Sequence, residues 1–391
     1  MAFISLEGWA RRGRDWLTDE ALPFWATIGF DRRTGGFHER CSFDGKPIDA
    51  AARRLMVQAR QIYVFSHAHL LGWHPDAREL AARGVEHLVA RYRNADGRPG
   101  FVFSLTPSGR VADGKRDTYG HAFVLMALGW YARATGDTQA ISIARETVEF
   151  IDATLSDVHG AFVDAQPRSD LLKRQNPHMH LFEGFLALYG GTGDVSFLKR
   201  AEHLHDLCLH RLFRSETGIL AEYFRDDWTA LPGETGRIWE PGHHFEWAWL
   251  LHLFADAANR PVAPEALSLI ERATAEGFNT DGRIYDELLD DGSVLKNSTR
   301  AWPLTEATKA GVARAEHGDV VGRHLAKRAL VSLFTTFLGQ PWRAGWTDHV
   351  TAEGAPIVDY APASTLYHAF LAIAEANRLV DGLPFWKPSD K

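Results

Sequence analysis

The chain has 391 residues with 45% hydrophobic and 24% charged side chains, which is the balance of an ordinary globular protein. Its formal net charge is −7 and it contains no basic block, so neither a nucleic acid nor an anionic membrane is indicated as a partner. Two cysteines, Cys41 and Cys208, provide no disulfide framework, and the amino-terminal stretch has no apolar signal core. We expect a cytoplasmic protein without a membrane span, because no apolar run approaches about 18 residues.

Apolar residues recur at helical spacing in about twelve stretches of the chain. These stretches lie near residues 5–28, 52–73, 77–93, 118–135, 139–155, 177–191, 195–213, 241–257, 264–277, 303–316, 320–338 and 362–379. Short joints fill alternate gaps, and each combines a helix-ending Gly or Pro with an Asp that can cap the next helix. The short joints are residues 72–76, 135–137, 192–194 and 317–319, with 257–261 as a looser version.

The remaining joints are long and resemble one another, each starting with a glycine, then a short extended piece and a turn. The copies begin near Gly35, Gly100, Gly160, Gly218, Gly282 and Gly345. This repeat of inner helix, short turn, outer helix and hairpin-bearing loop predicts an all-α fold, an (α/α)6 barrel in one domain spanning residues 1–391. An open helical solenoid is the alternative, but six repeats without polar capping repeats favour closure.

Helices that follow the long loops should all begin at one end of the barrel, so their first turns should share one mouth. Four of them are expected to start at an X-Pro step, which suits the first helical turn. The steps are Asn176-Pro177, Glu240-Pro241, Trp302-Pro303 and Ala361-Pro362. The polar side chains predicted to converge at the mouth are Arg60, Tyr119, His121, His178, His180, Glu183, His243, His244, Glu246, Glu306 and His368.

Residues 240–251 are the centre of this pattern. His243 lies on the inward apolar face of the predicted helix, and Glu246 follows it at i+3. The same spacing recurs in His180 and Glu183. Because a carboxylate at i+3 can orient an imidazole and raise its basicity, we predict two histidine–carboxylate pairs on the buried side of the mouth.

Imidazoles with an ordinary pKa near 6.5 suit proton removal and return at neutral pH, which points to His243 and His368 as catalytic residues. Arg60 is placed to stabilise an enediolate oxygen. His244 is expected to point between helices, whereas a structural and a functional role are both open for His121. The His-x-x-Glu order is the reverse of the Glu-x-x-His order of bundle di-iron sites, so no catalytic metal is expected. Phosphate-binding loops, nucleophile elbows and dinucleotide fingerprints do not occur.

These motifs resemble the N-acylglucosamine 2-epimerase superfamily, which includes cellobiose and mannose 2-epimerases and aldose–ketose isomerases. The segments that carry the resemblance are residues 117–123, 176–183, 240–247, 300–306 and 364–368. The resemblance implies an (α/α)6 barrel and a cofactor-independent sugar enzyme. Family members open the pyranose ring, remove the proton at C2, pass through a cis-enediol(ate) and return the proton.

By motif position, His243 and His368 match the family's general acid/base pair. The resemblance implies substrate-contacting or histidine-supporting roles for Arg60, Asn176, His180, Glu246 and Glu306, with Tyr119 and Trp302 lining the pocket. The sequence departs from the pattern of N-acylglucosamine epimerases at two positions, which bears on the identity of the sugar. Ala59 stands where N-acylglucosamine epimerases commonly have Gly, and Leu304 stands where Gln is often found. We therefore expect a mannose-handling member.

The predicted reaction is the interconversion of D-mannose and D-fructose, with D-lyxose and D-xylulose as the pentose counterparts. An isomerase can carry the C2 proton to C1 with one base, whereas a 2-epimerase needs two bases on opposite faces. Both histidines are present, so a 2-epimerase acting on mannose, cellobiose or an N-acylglucosamine stays open. Glycoside hydrolysis would need carboxylates such as Glu240, Glu246 and Glu306 instead. A sugar-binding protein without chemistry is a further alternative. The expected partner is a monosaccharide, and the expected oligomeric state is a monomer or homodimer.

Overall fold

The computed structural model describes residues 5–383. Within that range the α-helices are α1 (Leu6–Trp16), α2 (Leu22–Thr27), α3 (Leu55–Leu71), α4 (Ala77–Arg91), α5 (Thr118–Thr135), α6 (Thr138–Thr154), α7 (Gln175–Thr192), α8 (Val195–Leu207), α9 (Pro241–Ala258), α10 (Pro264–Glu276), α11 (Trp302–Glu316), α12 (Val320–Thr336) and α13 (Thr365–Val380). Single π-helical turns join α1 to α2 and extend α8. With α1 and α2 counted as one stretch, the predicted helices are confirmed, and their ends lie within a few residues of those expected.

Six inner helices, α3, α5, α7, α9, α11 and α13, form a closed ring, because each packs on the next and α13 packs back on α3. Their side chains are buried on nearly every face; in α9 all residues from Pro241 to Ala255 are buried. Small residues let neighbours approach closely, since a Cβ on Gly191 of α7 would lie 2.5 Å from the carbonyl oxygen of Gly129 in α5. A helix that is apolar all round must be covered on all sides, and an outer layer supplies that cover.

The outer layer consists of α4, α6, α8, α10 and α12, each packed on the inner helix before it, with α1 packed on α13. The ring and its cover confirm the (α/α)6 barrel and exclude the open solenoid. Among residues 5–383 we find no helix with both the length and the apolar character needed to cross a bilayer.

The short joints follow the predicted turn chemistry. Gly136 and Gly193 end inner helices in the left-handed conformation, with φ of 77° and 71°. The side chains of Asp137 and Asp194 then accept hydrogen bonds from backbone N–H groups in the first turn of the next outer helix. Asp76 is the exception, because its side chain does not cap α4.

The long loops contain short strands at the mouth of the barrel. Among the described residues they are β1 (Phe30–Asp31), β2 (Gly36–Phe37), β3 (Arg40–Ser42), β4 (Arg53–Arg54), β5 (Ser104–Leu105), β6 (Val111–Asp113), β7 (Arg116–Asp117), β8 (Ala165–Gln166), β9 (Lys173–Arg174), β10 (Phe213–Arg214), β11 (Ile219–Leu220), β12 (Tyr223–Phe224), β13 (Ile238–Trp239), β14 (Glu287–Leu289), β15 (Val294–Lys296), β16 (Thr299–Arg300), β17 (His349–Val350) and β18 (Tyr360–Pro362). Every long loop closes an antiparallel hairpin contact, as predicted. Pro362 lies in β18 and α13 begins at Thr365, so the prediction that Ala361-Pro362 starts a helix is wrong.

A second set of pairings runs between loops and was not predicted. The strand just before each inner helix pairs with a strand from the following long loop, and the last of these strands pairs with the first loop. The pairs are β4–β5, β7–β8, β9–β12, β13–β14, β16–β17 and β18–β3. These contacts tie the loops into a continuous rim, so each inner helix begins at a position set by its neighbour.

Side chains one turn into the inner helices fasten the loops to the barrel. The N–H groups of Phe101, Phe162 and Leu220 donate to the Nε2 atoms of His121, His178 and His244, and Phe37 N–H donates to Gln58. Burial lowers the pKa of His121 and His178 to about 4 and that of His244 to about 3, so these rings are neutral acceptors. The structural expectation for His244 is confirmed, and His121 and His178 have the same role.

Candidate active site

The first turns of the inner helices surround a cavity of about 230 Å³ beneath the rim. Its lining consists of Arg60, Tyr119, Asn176, His180, Glu240, His243, Glu246, Arg300, Trp302, Asp348, Ser364, Thr365 and His368. Eight of the nine predicted site residues therefore line this one cavity. The ninth, Glu306, lies behind His368 and is fully buried.

A larger cavity of about 490 Å³ lies among the carboxyl-terminal halves of the inner helices. Its lining is mainly apolar, with side chains such as Met126, Trp249 and Leu253. Among the described residues it shares no lining residue with the smaller cavity. The smaller cavity holds three histidines, whereas His67 is the one histidine that lines the larger cavity within the described residues.

His243 stands in the first turn of α9 with Glu222 as its partner. Its Nδ1 atom lies 2.9 Å from Oε1 of Glu222 and 3.9 Å from a carboxylate oxygen of Glu240. Burial opposes a charge on the ring, but the two carboxylates outweigh burial and raise the pKa of His243 to about 9. His243 is therefore a cation at neutral pH. The predicted pairing with Glu246 is wrong, because Glu222 from the preceding loop makes the contact.

His368 has the opposite electrostatic character. Its Nδ1 atom lies 2.8 Å from Oε1 of Glu306, so the Nδ1–H donates to that carboxylate and Nε2 remains for the cavity. Burial, reinforced by Arg60 and Lys309, holds the pKa of His368 well below its usual range. The ring is therefore neutral at neutral pH and carries a free lone pair.

Trp302 lies beside both histidines, with its ring centroid 4.9 Å from that of His243 and 5.8 Å from that of His368. Gly242 makes room for this indole, because a Cβ at position 242 would lie 2.4 Å from the Trp302 ring. A cationic and a neutral imidazole thus flank one aromatic surface on which the C–H face of a sugar can stack.

The second predicted pair is present. His180 Nδ1 lies 3.0 Å from Oε2 of Glu183, and the hydroxyl of Tyr367 donates to the other oxygen of that carboxylate. Burial lowers the pKa of His180 to about 4 despite Glu183, so its ring is neutral and Nε2 is an acceptor. The ring of Tyr119 packs edge-on against His180.

Glu246 lines the cavity, 4.0 Å from Nδ1 of His180 and 4.0 Å from Nζ of Lys309. Burial and the neighbouring carboxylates Glu306 and Glu183 raise its pKa well above the usual range. A neutral carboxyl group at this point can both donate to and accept from sugar hydroxyls.

Arg60 and Asn176 supply further hydrogen-bonding groups. Arg60 donates from Nη2 to the Tyr119 hydroxyl at 2.7 Å, and its guanidinium lies 4.2 Å from the centroid of the Phe123 ring. Its buried Nε atom and the Oδ1 atom of Asn176 have no hydrogen-bond partner among the described residues. Both atoms belong to residues that line the cavity, and a sugar hydroxyl would satisfy them.

Sequence reasoning missed three charged residues that complete the site. Glu222 holds His243, Arg300 pairs with Glu240 at 3.0 Å, and Lys309 pairs with Glu306 at 2.5 Å. Lys309 follows Glu306 at i+3, which is the one visible signal. Glu222 and Arg300 lie on the loops, where only the rim pairings decide what they face.

Three groups of side chains have the ligand types and spacing for a metal ion. They are His180 with Glu183 and Glu246, Glu222 with Glu240 and His243, and Glu246 with Glu306 and His368, each with ligand atoms within 4.8 Å of one another. Protein cations already occupy two of the five carboxylates in these groups, since Lys309 lies against Glu306 and Arg300 against Glu240, and histidines contact Glu183 and Glu222. The donor set therefore fits acid–base chemistry better than a metal.

A closed (α/α)6 barrel with a small polar cavity and a cationic–neutral histidine pair defines an acid–base enzyme of the helical-barrel class. The chain belongs to the N-acylglucosamine 2-epimerase family, whose model matches residues 35–372. It is 36% identical over 373 residues to a mannose-6-phosphate isomerase of Rhizobium meliloti, covering 92% of this chain and 94% of the relative. It is 26% identical over 366 residues to a D-mannose isomerase of Thermobifida fusca, covering 84% and 85%. The solved cellobiose 2-epimerase of Spirochaeta thermophila superimposes with a TM-score of 0.85 at 25% identity, over 96% of this chain and 98% of that one.

Proposed function

We propose that this protein is an aldose–ketose isomerase that interconverts D-mannose and D-fructose, with D-lyxose and D-xylulose as pentose counterparts. The observation that carries the proposal is the placement of two carboxylate-bound histidines beside Trp302: Nδ1 of His243 lies 2.9 Å from Glu222, and Nδ1 of His368 lies 2.8 Å from Glu306. Their surroundings raise the pKa of His243 and lower that of His368, which suits one histidine to act as an acid and the other as a base. The D-mannose isomerases among the relatives support the substrate. The cavity volume, below the roughly 300–1,000 Å³ of sites for drug-sized ligands, suits one monosaccharide.

The reaction uses the two histidines in different roles. In the ring-opened aldose, Nε2 of His368 takes the C2 proton, the C–H electron pair forms the C1=C2 bond, and the carbonyl electrons move to O1. His243 donates a proton to O1, which gives the cis-enediol. The O2 proton then passes to His243, the C2=O2 bond forms, and C1 takes the proton from His368. Both histidines return to their starting charge, and no cofactor is consumed.

A 2-epimerase is the second candidate, and one observation favours it. His243 and His368 lie on different elements, α9 and α13, so the protonated His243 is a separate proton source for C2. The solved epimerase in the same family has the same fold. The two reactions differ in whether the His243 proton reaches an oxygen or C2.

Glycoside hydrolysis is not proposed, because it needs two carboxyl groups that can reach a glycosidic bond, and two of the three candidates are engaged in ion pairs. Glu306 is held between His368 and Lys309, and Glu240 is paired with Arg300. Of the three carboxylates considered for hydrolysis, Glu246 alone lines the cavity with no ion pair closer than 4.0 Å.

The deciding experiment is proton NMR of the protein with D-mannose in D2O. We expect fructose to form, with part of the C2 hydrogen retained at C1 because one base carries it. Glucose that forms first with deuterium at C2 would establish the 2-epimerase instead. If neither product forms, the isomerase proposal fails and cellobiose and N-acetylmannosamine become the next substrates.

Mannose 6-phosphate belongs in the same assay, because one relative bears that substrate in its name. A third cavity lies beside the catalytic one and shares Asp348 and Ser364 with it. Its lining includes Arg40 and Arg54. Glu39 forms an ion pair with Arg54, and its negative charge offsets the attraction of this arginine for a phosphate. We therefore propose the free sugar as the substrate, and a lower kcat/KM for free mannose than for its phosphate would reverse that choice.

We also propose that the enzyme needs no metal or other cofactor. We expect unchanged turnover after exhaustive dialysis against EDTA, since Lys309 and Arg300 already pair with Glu306 and Glu240, two of the carboxylates that could bind a metal. The measurement is the mannose isomerisation rate before and after dialysis, with metal content checked in the same samples. A loss of activity that a divalent ion restores would contradict the proposal.

Residues 1–391 are proposed to act as one catalytic domain in the cytoplasm, as a monomer or homodimer. The single-domain proposal is supported by the closed ring of inner helices. All six of these helices, from α3 to α13, contribute residues to the lining of one cavity. The location is supported by the two cysteines, which are buried and unpaired.

A further inference from the structure

Lys309 is a fully buried lysine directly beneath the catalytic cavity. Its side chain is 0% exposed and lies on α11, one turn after Glu306. Lysine is almost never fully buried unless its charge is paired, because removing an ammonium group from water is costly. Lys309 is not part of the cavity lining, so it does not touch the substrate.

The ammonium group of Lys309 lies between two carboxyl groups and an indole. Nζ is 2.5 Å from Oε2 of Glu306, 4.0 Å from Oε1 of Glu246 and 4.0 Å from the centroid of the Trp249 ring. The other oxygen of Glu306 receives the Nδ1–H of His368. One carboxylate thus connects the buried cation to the neutral histidine.

We propose that Lys309 is a positioning residue, whose ammonium holds Glu306 in the orientation in which its other oxygen accepts the Nδ1–H of His368. If Glu306 turned away, Nδ1 would lose the acceptor that fixes its proton. The ring proton could then sit on Nε2, and His368 would have no lone pair for the C2 proton. The role of His368 as base rests on the proposed function, whereas its tautomer does not.

Charged or titratable groups surround Glu306 and His368 on the neighbouring inner helices. Glu306 interacts with Tyr63 on α3, Glu246 on α9, Lys309 on α11, and Tyr367 and His368 on α13. His368 is also influenced by Arg60 on α3 and by His180 and Glu183 on α7. Burial opposes the charge on Lys309, but Glu306, Glu246 and Glu183 outweigh burial and raise its pKa. Without the ammonium, the Oε2 atom of Glu306 would lose its cationic partner, and the carboxyl group would be free to turn away from Nδ1 of His368.

The test compares Lys309→Met with Lys173→Met. Methionine keeps the apolar length and removes the charge. Lys173 is the matched control, because it is also 0% exposed and pairs with Asp157 at 2.7 Å, but its pair lies outside the cavity lining. We expect Lys309→Met to lower kcat by about 10- to 100-fold with little change in KM, in line with supporting residues at other sites.

We also expect the acid limb of the kcat/KM pH profile to move to higher pH in Lys309→Met, because Lys309 is one of the cations that hold the pKa of His368 down and its loss would let that pKa rise. Lys173→Met should keep both the kcat and the limb of the wild type. Unchanged kcat and limb in folded Lys309→Met, or equal changes in both variants, would overturn the proposal.

Two NMR measurements on the wild-type protein test the proposal without a substrate and without a variant. In the wild type, ring 15N shifts should show His368 as the neutral Nδ1–H tautomer, and the 15Nζ shift of Lys309 should show an ammonium at pH 8. A neutral amine at Lys309, or an Nε2–H tautomer at His368, would overturn the proposal. If the shifts agree but mannose is not converted, the positioning of His368 stands and only the proposed reaction fails.

Discussion

Replacing His368 with asparagine is expected to lower kcat/KM for D-mannose by about 10²- to 10⁴-fold, the usual contribution of a general base. Asparagine can keep a donor at the place of Nδ1 for Glu306, which in the native protein accepts from His368 at 2.8 Å. It removes Nε2, the nitrogen left for the cavity. Loss of activity with intact circular dichroism would therefore reflect lost proton transfer. Steady-state isomerisation kinetics measure the effect, together with hydrogen exchange at C2 of mannose in D2O, which should stop in parallel.

His203→Asn is the control for this experiment, because His203 is exposed on the outer helix α8. This variant should retain the kinetics of the wild type. If His368→Asn kept turnover and C2 exchange at native rates, another group would have to be the base, and the neutral ring of His180 would be the next candidate.

Replacing Glu222 with glutamine is expected to move the basic limb of the kcat/KM profile down by about 1 to 3 pH units. Glu222 is the first of the groups that raise the pKa of His243 to about 9 against the effect of burial. Because the folded pKa is raised, the acid form of His243 is present below about pH 9 and disappears as the pH rises through that value. Without Glu222, burial would lower the pKa of His243, so the protonated form would disappear closer to neutral pH. The profile of kcat/KM reports the free enzyme, so it is the measurement of choice.

Glu240→Gln is the matched control, since Glu240 lies 3.9 Å from Nδ1 of His243 rather than within hydrogen-bond distance. Its basic limb should move less than that of Glu222→Gln. If the basic limb of the kcat/KM profile fell at the same pH in Glu222→Gln as in the wild type, the assignment of His243 as the acid would be contradicted. The same linkage acts on stability, because the His243–Glu222 pair contributes fully below about pH 6.5 and its contribution is lost as the pH rises through about 9.

The sequence alone determined the helices, most of their ends and the closure of the repeat. Helical periodicity and turn residues are local properties, so Asp137 and Asp194 could be recognised as caps without knowledge of the fold. The convergence of the first turns followed from the repeat, since equivalent helices must start at the same end. Eight of the nine predicted site residues accordingly line one cavity. The pair of His180 with Glu183 was also predictable, because both residues lie on one helix.

The partners of the two central histidines were decided by the tertiary structure. Glu222 reaches His243 from a loop 21 residues earlier, and Glu306 reaches His368 from a helix 62 residues earlier. The spacing of His243 and Glu246 predicted the wrong pair, because neighbours on one helix face can be separated by the side chains that pack between helices. Opposite pKa shifts of two identical side chains follow from these contacts, since the field at a buried ring is the sum over charges that folding brings together. The chain's local patterns thus determine where the imidazoles stand, and only the folded barrel decides which one is an acid and which a base.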